Sequence, residues 1–182
     1  MNPFYNFLPA DLIFERSRSV LGKLIRWAER ARGEEPAWPN HVAGFVSTAS
    51  VCEALTRVKV RPWSEFVSEA DAAEVWRHVG LTPNQRIDIA QKALSYKGRK
   101  YGGLKLFAHL GDAFIGKLFG RAPYLFRRLC RLDRYPICSW LWAWSYARII
   151  GGEPFGVPSA QASPDNMHDH VRNSPDWIRV YP

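Results

Sequence analysis

The stretch "PICSWLWAWSYARIIGG", residues 136–152, limits the fold more than any other part of the chain. Pro136 sits where a helix can begin but not extend backwards, and Gly151-Gly152 is a common stop. Between them lie Trp140, Leu141, Trp142, Trp144, Tyr146, Ile149 and Ile150. A helix this apolar has to be buried against another layer. At 182 residues the chain is long enough for one good core and short for two. Eight Trp and 14% aromatic residues supply large rings to fill that core or line a groove. Arg, Lys or Gly breaks every apolar run well before the ~20 residues a membrane helix needs.

The layer that covers this helix is read from the front of the chain. Residues 10–14, "ADLIF", form a short predicted strand, and Arg18 to Arg32 has the apolar spacing of a helix with a basic outer face. "GEEPAWPN" is a loop. "HVAGFVS" and "VCEALTRVKV" read as two strands around Ser47-Thr48-Ala49-Ser50, a hairpin. "PWSEFV" fits turn or strand, and Ser68 to His78 looks helical. A helix opens at Thr82 as N-cap with Pro83 in its first turn, and Gly98 ends it. Residues 99–120 are punctuated by glycines, 117–134 are strongly basic, and the Pro-, Ser- and Asn-rich tail ends in an apolar piece at Trp177 to Tyr181. Strands cluster early and do not alternate with helices, so the class is α+β, and residues 1–182 read as one domain.

Three cysteines, Cys52, Cys130 and Cys138, lack the pairing of a disulfide framework and suit a reducing compartment. The N-terminus has neither the basic start nor the long apolar middle of a signal peptide, which points to a cytoplasmic protein, bacterial or phage-delivered. A net charge of +8 favours anionic partners without naming one.

Cys138 falls in or just before the first turn of the apolar helix, where the helix dipole favours a thiolate. Taken alone, it also fits a small buried hydrophobe. Thiol catalysis further needs an imidazole and a polar group to orient it. His41 heads a strand of small apolar residues, and Glu53 sits inside "VCEAL", where partial burial demands a partner. Arg57 or Lys59 could be that partner on an edge strand.

In order along the chain, "ADLIFERSRSVLGKLIR", "NHVAGFV", "VCEAL", "GRKYGG", "ICSWLWAWSYARIIGG" and "SPDNM" resemble the permuted NlpC-type papain-like cysteine peptidases and amidases, the YiiX/YaeF-like group. The match runs from about residue 10 to residue 167. It implies a papain-like fold, circularly permuted, with an antiparallel sheet packed on the helix that bears the cysteine. It implies Cys138 as nucleophile, His41 as base and Glu53 as the third polar residue, with no metal and no cofactor. Ala10 stands where the group's pattern has Gly, and Trp140 where it often has Glu. A tight hairpin around Thr48-Ala49 would put Thr56, not Glu53, across from His41; a bulge or longer loop would change that pairing. Tyr101 either closes the pocket or belongs to the core.

Three functions compete. The first is hydrolysis of an amide bond in a peptide or a peptidoglycan stem peptide. The second is acyl transfer or lipid chemistry, as in the lecithin:retinol acyltransferase group, whose "NCEHF" element is missing here. The third is an idle binding module that uses the basic stretch 117–134 on an anionic cell-wall polymer or lipid headgroup; no nucleic-acid motif accompanies that stretch. Cys130, among Arg127, Arg128 and Arg131, competes with Cys138 as the reactive thiol. His168 and His170 flank Asp169, a weak metal pattern better read as a solvated loop. His78 and His109 are read as structural.

Overall fold

The computed structural model describes residues 5–17, 23, 26, 37–100 and 137–182. The expected features at 18–22, 27–36 and 101–136, including Tyr101, His109, Cys130 and the basic stretch, lie outside the described residues. The elements in chain order are β1 (Leu12–Arg16), β2 (His41–Phe45), β3 (Ser50–Ala54), β4 (Val58–Pro62), α1 (Trp63–Glu69), β5 (Ala72–His78), α2 (Pro83–Leu94), α3 (Cys138–Ile150), α4 (Pro164–Asn173) and β6 (Trp177–Tyr181). The strands make one sheet in the order β4-β3-β2-β1-β5-β6. Every pairing is antiparallel.

Strand residues alternate between the two faces of the sheet, and the two faces have different cores. One face carries Leu12, Phe14, Val42, Cys52, Ala54 and Val58 against Trp140, Leu141, Trp142 and Tyr146 of α3, with Ile89 and Ala93 of α2 beside them. The other carries Ile13, Ala43, Phe45, Val51, Ala73 and Val75 under Phe66 of α1 and Phe7. Thus α3 is covered on most sides, as its composition requires. It packs tightly at Gly44, where an added Cβ would stand 2.6 Å from the Trp142 ring. Gly151 ends α3 at φ 80°, a conformation glycine adopts without strain.

Several expectations change. "VCEALTRVKV" is two strands, because Leu55-Thr56-Arg57 reverses the chain, with Leu55 N–H donating to Arg57 O at 3.3 Å. Residues 63–67 of the segment read as turn or strand belong to helix α1, and of the segment read as helix only 68–69 are helical, while 72–78 are strand β5. "AAEVWRH" is rich in helix formers, yet it pairs with β1 on one side and β6 on the other, and this non-local ladder overrides local preference. The tail is not wholly irregular either. Ser163 caps α4 through a bond from Asn166 N–H, with Pro164 in the first turn. His168 is therefore no loop residue. It is buried, pairs with Glu74 at 2.9 Å and stacks on Trp38.

The segment before β1 is pinned by Asp11. Its buried carboxylate receives Arg77 from β5 at 2.9 and 2.6 Å, Arg86 from α2 at 3.3 Å and the Leu8 N–H at 2.9 Å. Ala10, in the place of the expected glycine, keeps a positive φ of 65°. That conformation is held by its N–H to Phe45 O and by Tyr146 Oη, which donates to Ala10 O.

Candidate active site

Cys138 is the first residue of α3, and no side chain caps that helix end. Its first-turn N–H groups point out of the helix end and favour negative charge at the sulfur. His41 is the first residue of β2, at the end of the sheet over which α3 begins. From there its ring meets Cys138 on the helix side and Glu53 on the opposite face. Cys138 and His41 lie close enough for each to shift the other's ionisation, and the backbones of Val42 and Ser139 act on the thiol as well. His41 Nε2 stands 3.0 Å from Glu53 Oε2. This leaves Nδ1 as the ring nitrogen for Cys138.

The register explains why Glu53 reaches. Ala43 pairs with Glu53 and Phe45 with Val51, a step of one residue from the tight hairpin that would oppose Thr56 to His41. Because side chains alternate, that single step moves Glu53 onto the same face as His41, as a diagonal neighbour. Thr56 is exposed in the turn after β3.

Glu53 is fully buried and anchored by cations, on an interior strand rather than an edge. Arg61 Nε lies 2.6 Å and Lys59 Nζ 3.4 Å from Oε1. The Arg61 contact is one of charge, since its N–H is not aligned for a hydrogen bond to that oxygen. Arg61 in turn holds Glu69 of α1 at 2.5 Å. Burial opposes ionisation of Glu53, but the hydrogen bond and charge of His41, with Arg61 and Lys59, hold its carboxyl below the usual range.

Protons in the pair follow from the same balance. Burial disfavours a charged His41 ring; the Cys138 charge and hydrogen bond, the Glu53 hydrogen bond and the Glu15 charge outweigh it, and His41 is held well above the ordinary imidazole value. Burial likewise disfavours a Cys138 thiolate, but the charge and hydrogen bond of His41 and the backbone bonds of Val42 and Ser139 lower its pKa. Both directions favour a thiolate–imidazolium pair. Cys52 behaves oppositely, with burial and Glu53 pushing its thiol up to about 12.

Two residues that the sequence reading passed over belong here. Glu15 pairs directly with His41 across β1 and β2, and Arg61 orients Glu53. Glu15 left a trace, a charge on the inward parity of "LIFER", but only the register shows what it faces. Trp140, where the resembling group often has Glu, is core: it meets Tyr96 edge-on and stacks on Trp144.

Glu15, His41 and Glu53 bring donor atoms within 4.8 Å of one another, a spacing a cation can bridge. The donors do not fit one. His41 Nε2 and Glu53 Oε2 are committed to each other, and Glu53 Oε1 faces Arg61 and Lys59, which repel a metal ion.

No family profile matches the sequence, and no curated protein does. Among solved structures the chain is similar to the metalloprotein yiiX from Escherichia coli O157:H7, of the DUF1105 group. The two share 19% identity over 98% of this chain and 100% of that one, with a TM-score of 0.66. The chain therefore has a YiiX-like fold. No helix among the described residues is long and apolar enough to cross a membrane.

Proposed function

We propose that this protein is a cysteine hydrolase of the permuted NlpC-type papain-like kind, cleaving an amide bond in a peptide or a peptidoglycan stem peptide. The observation that carries this reading is the buried Cys138–His41–Glu53 line, with Cys138 at a helix start and both shifts favouring the ion pair. The Cys138 thiolate attacks the carbonyl carbon and forms a tetrahedral oxyanion. Backbone N–H groups at the start of α3 are placed to stabilise it. The intermediate collapses to a thioester as His41 gives its proton to the leaving amine. Neutral His41 then takes a proton from water, which attacks the thioester, and the thiol leaves as the carboxylic acid is released. Glu53 keeps the ring oriented throughout. The similar YiiX is a metalloprotein, but the donors here are committed as described, and no step passes through a metal.

Iodoacetamide labelling at pH 6–7 with peptide mapping tests the reading. Cys138 labels well ahead of Cys52, and His41→Ala slows Cys138 alone. Equal labelling of the two, or preferential labelling of Cys130 that ignores His41→Ala, sinks it in favour of the binding module.

A further inference from the structure

Glu15 is the remaining ionisable group in this site, and the mechanism so far does not use it. It lies on β1 directly across from His41, and their side chains share a face of the sheet. It is 9% exposed, and a carboxylate oxygen comes within 4.8 Å of donor atoms on both His41 and Glu53. No hydrogen bond or salt bridge is formed by its carboxylate among the described residues. A carboxylate this buried is costly unless something repays its desolvation. Among the described residues, the charges facing it come from four elements. They are His41 on β2, Glu53 on β3, Arg61 on β4 and Glu69 on α1, while β5 presents Ala73. Two of these are acids that already have cationic partners, and Arg61 is shared among Glu53, Glu65 and Glu69. Among the described residues, the cation left for Glu15 is the protonated His41 ring.

We propose that Glu15 is a second carboxylate for His41, a positioning residue that flanks the imidazole from the β1 side, next to the Glu53 contact, and favours its protonated, thiolate-paired form. This rests on the cysteine-hydrolase reading and extends it. Glu53 fixes the ring through a directional hydrogen bond at Nε2, whereas Glu15 acts through space on its charge. Burial, with the Glu53 and Glu69 charges, raises the Glu15 carboxyl against the pull of His41 and Arg61. It acts on the ring only while ionised, at the pH where the imidazolium gives up its proton. Removing its charge therefore lowers the pH at which His41 deprotonates and pulls in the alkaline limb of any activity profile.

The test is an NMR titration of the histidine ring nitrogens in the full-length protein. In the wild type His41 titrates above an ordinary imidazole, and Cys138→Ala lowers it. Glu15→Gln lowers it by about one pH unit, the scale of one opposite charge at this range. Glu15→Asp, with its charge withdrawn by one methylene, falls between. The His168 signal, held down by burial against the pull of Glu74, stays put and guards against a general structural change. If Glu15→Gln does not fold, Glu15→Asp decides alone, a lower His41 value supporting the proposal and an unchanged one overturning it. If His41 responds to Cys138→Ala but not to Glu15→Gln, only the Glu15 proposal falls. If wild-type His41 titrates as a free imidazole and ignores Cys138→Ala, the hydrolase reading falls with it.

Discussion

Gly44→Ala tests the contact that holds the two halves of the site in place. A Cβ on Gly44 would stand 2.6, 2.7 and 2.8 Å from Cζ2, Cε2 and Cη2 of Trp142. Carbon atoms rest at ~3.5–4.0 Å, so the methyl intrudes by about 1 Å. Neither side yields cheaply. Trp142 is fully buried, and its indole N–H donates to Cys52 O at 3.3 Å. Gly44 is held in the middle of the sheet, paired with Leu12 and Cys52. Overpacking of this kind costs ~1–3 kcal/mol. The melting point falls by roughly 2–4 °C per kcal/mol in a domain this size. Relief comes most easily by moving α3 away from β2, which separates Cys138 from His41. Urea unfolding measures the first effect, and the rate of Cys138 alkylation at pH 6.5 the second. Trp142→Phe removes the indole carbons that the methyl strikes. In that background Gly44→Ala costs less than alone, with a coupling of about 1 kcal/mol or more. Equal cost in both backgrounds would refute the clash, and an unperturbed alkylation rate in a destabilised Gly44→Ala would refute the link to the dyad.

Glu53→Gln keeps the shape but removes the charge facing Arg61 and His41. At pH 7 it destabilises by about 3 kcal/mol, as for a broken buried ion pair. The Glu53 carboxyl is lowered on folding, so its contribution is present above its unfolded value and disappears as pH falls through the lower folded value. The gap between wild type and Glu53→Gln in urea midpoints therefore narrows in acid; a gap that widens there contradicts the assignment. His41 acts with the opposite sign: it is raised on folding, so its contribution is full below about 6.5 and is lost as pH rises through its folded value. Asp11→Ala strands Arg77 and the buried Arg86 and costs ~3–5 kcal/mol in the same assay. A loss under about 1 kcal/mol would show the cluster to be only a surface ion pair.

The sequence alone determined what depends on local chemistry. Residues 138–150 form a buried helix because the run is apolar nearly throughout and bounded by Pro136 and Gly151. Thr82 caps α2, with Gln85 reciprocating, and Cys138 stands at a helix start. Glu53, next in sequence to Cys52, adds to the burial that pushes the Cys52 thiol up. Tertiary structure decided whatever depends on parity or on partners distant in sequence. One residue of register between β2 and β3 chooses between Thr56 and Glu53 for His41, and the loop at 46–49 carries no residue pattern that fixes it. Strand β5 looks helical until β1 and β6 bind both its edges. His168 looks solvated until α4 forms and buries it on Trp38. Glu15 and Arg61 join the site from β1 and β4, 26 and 20 residues from His41, because sheet pairing sums small energies over many residues, and no short window of sequence contains that sum.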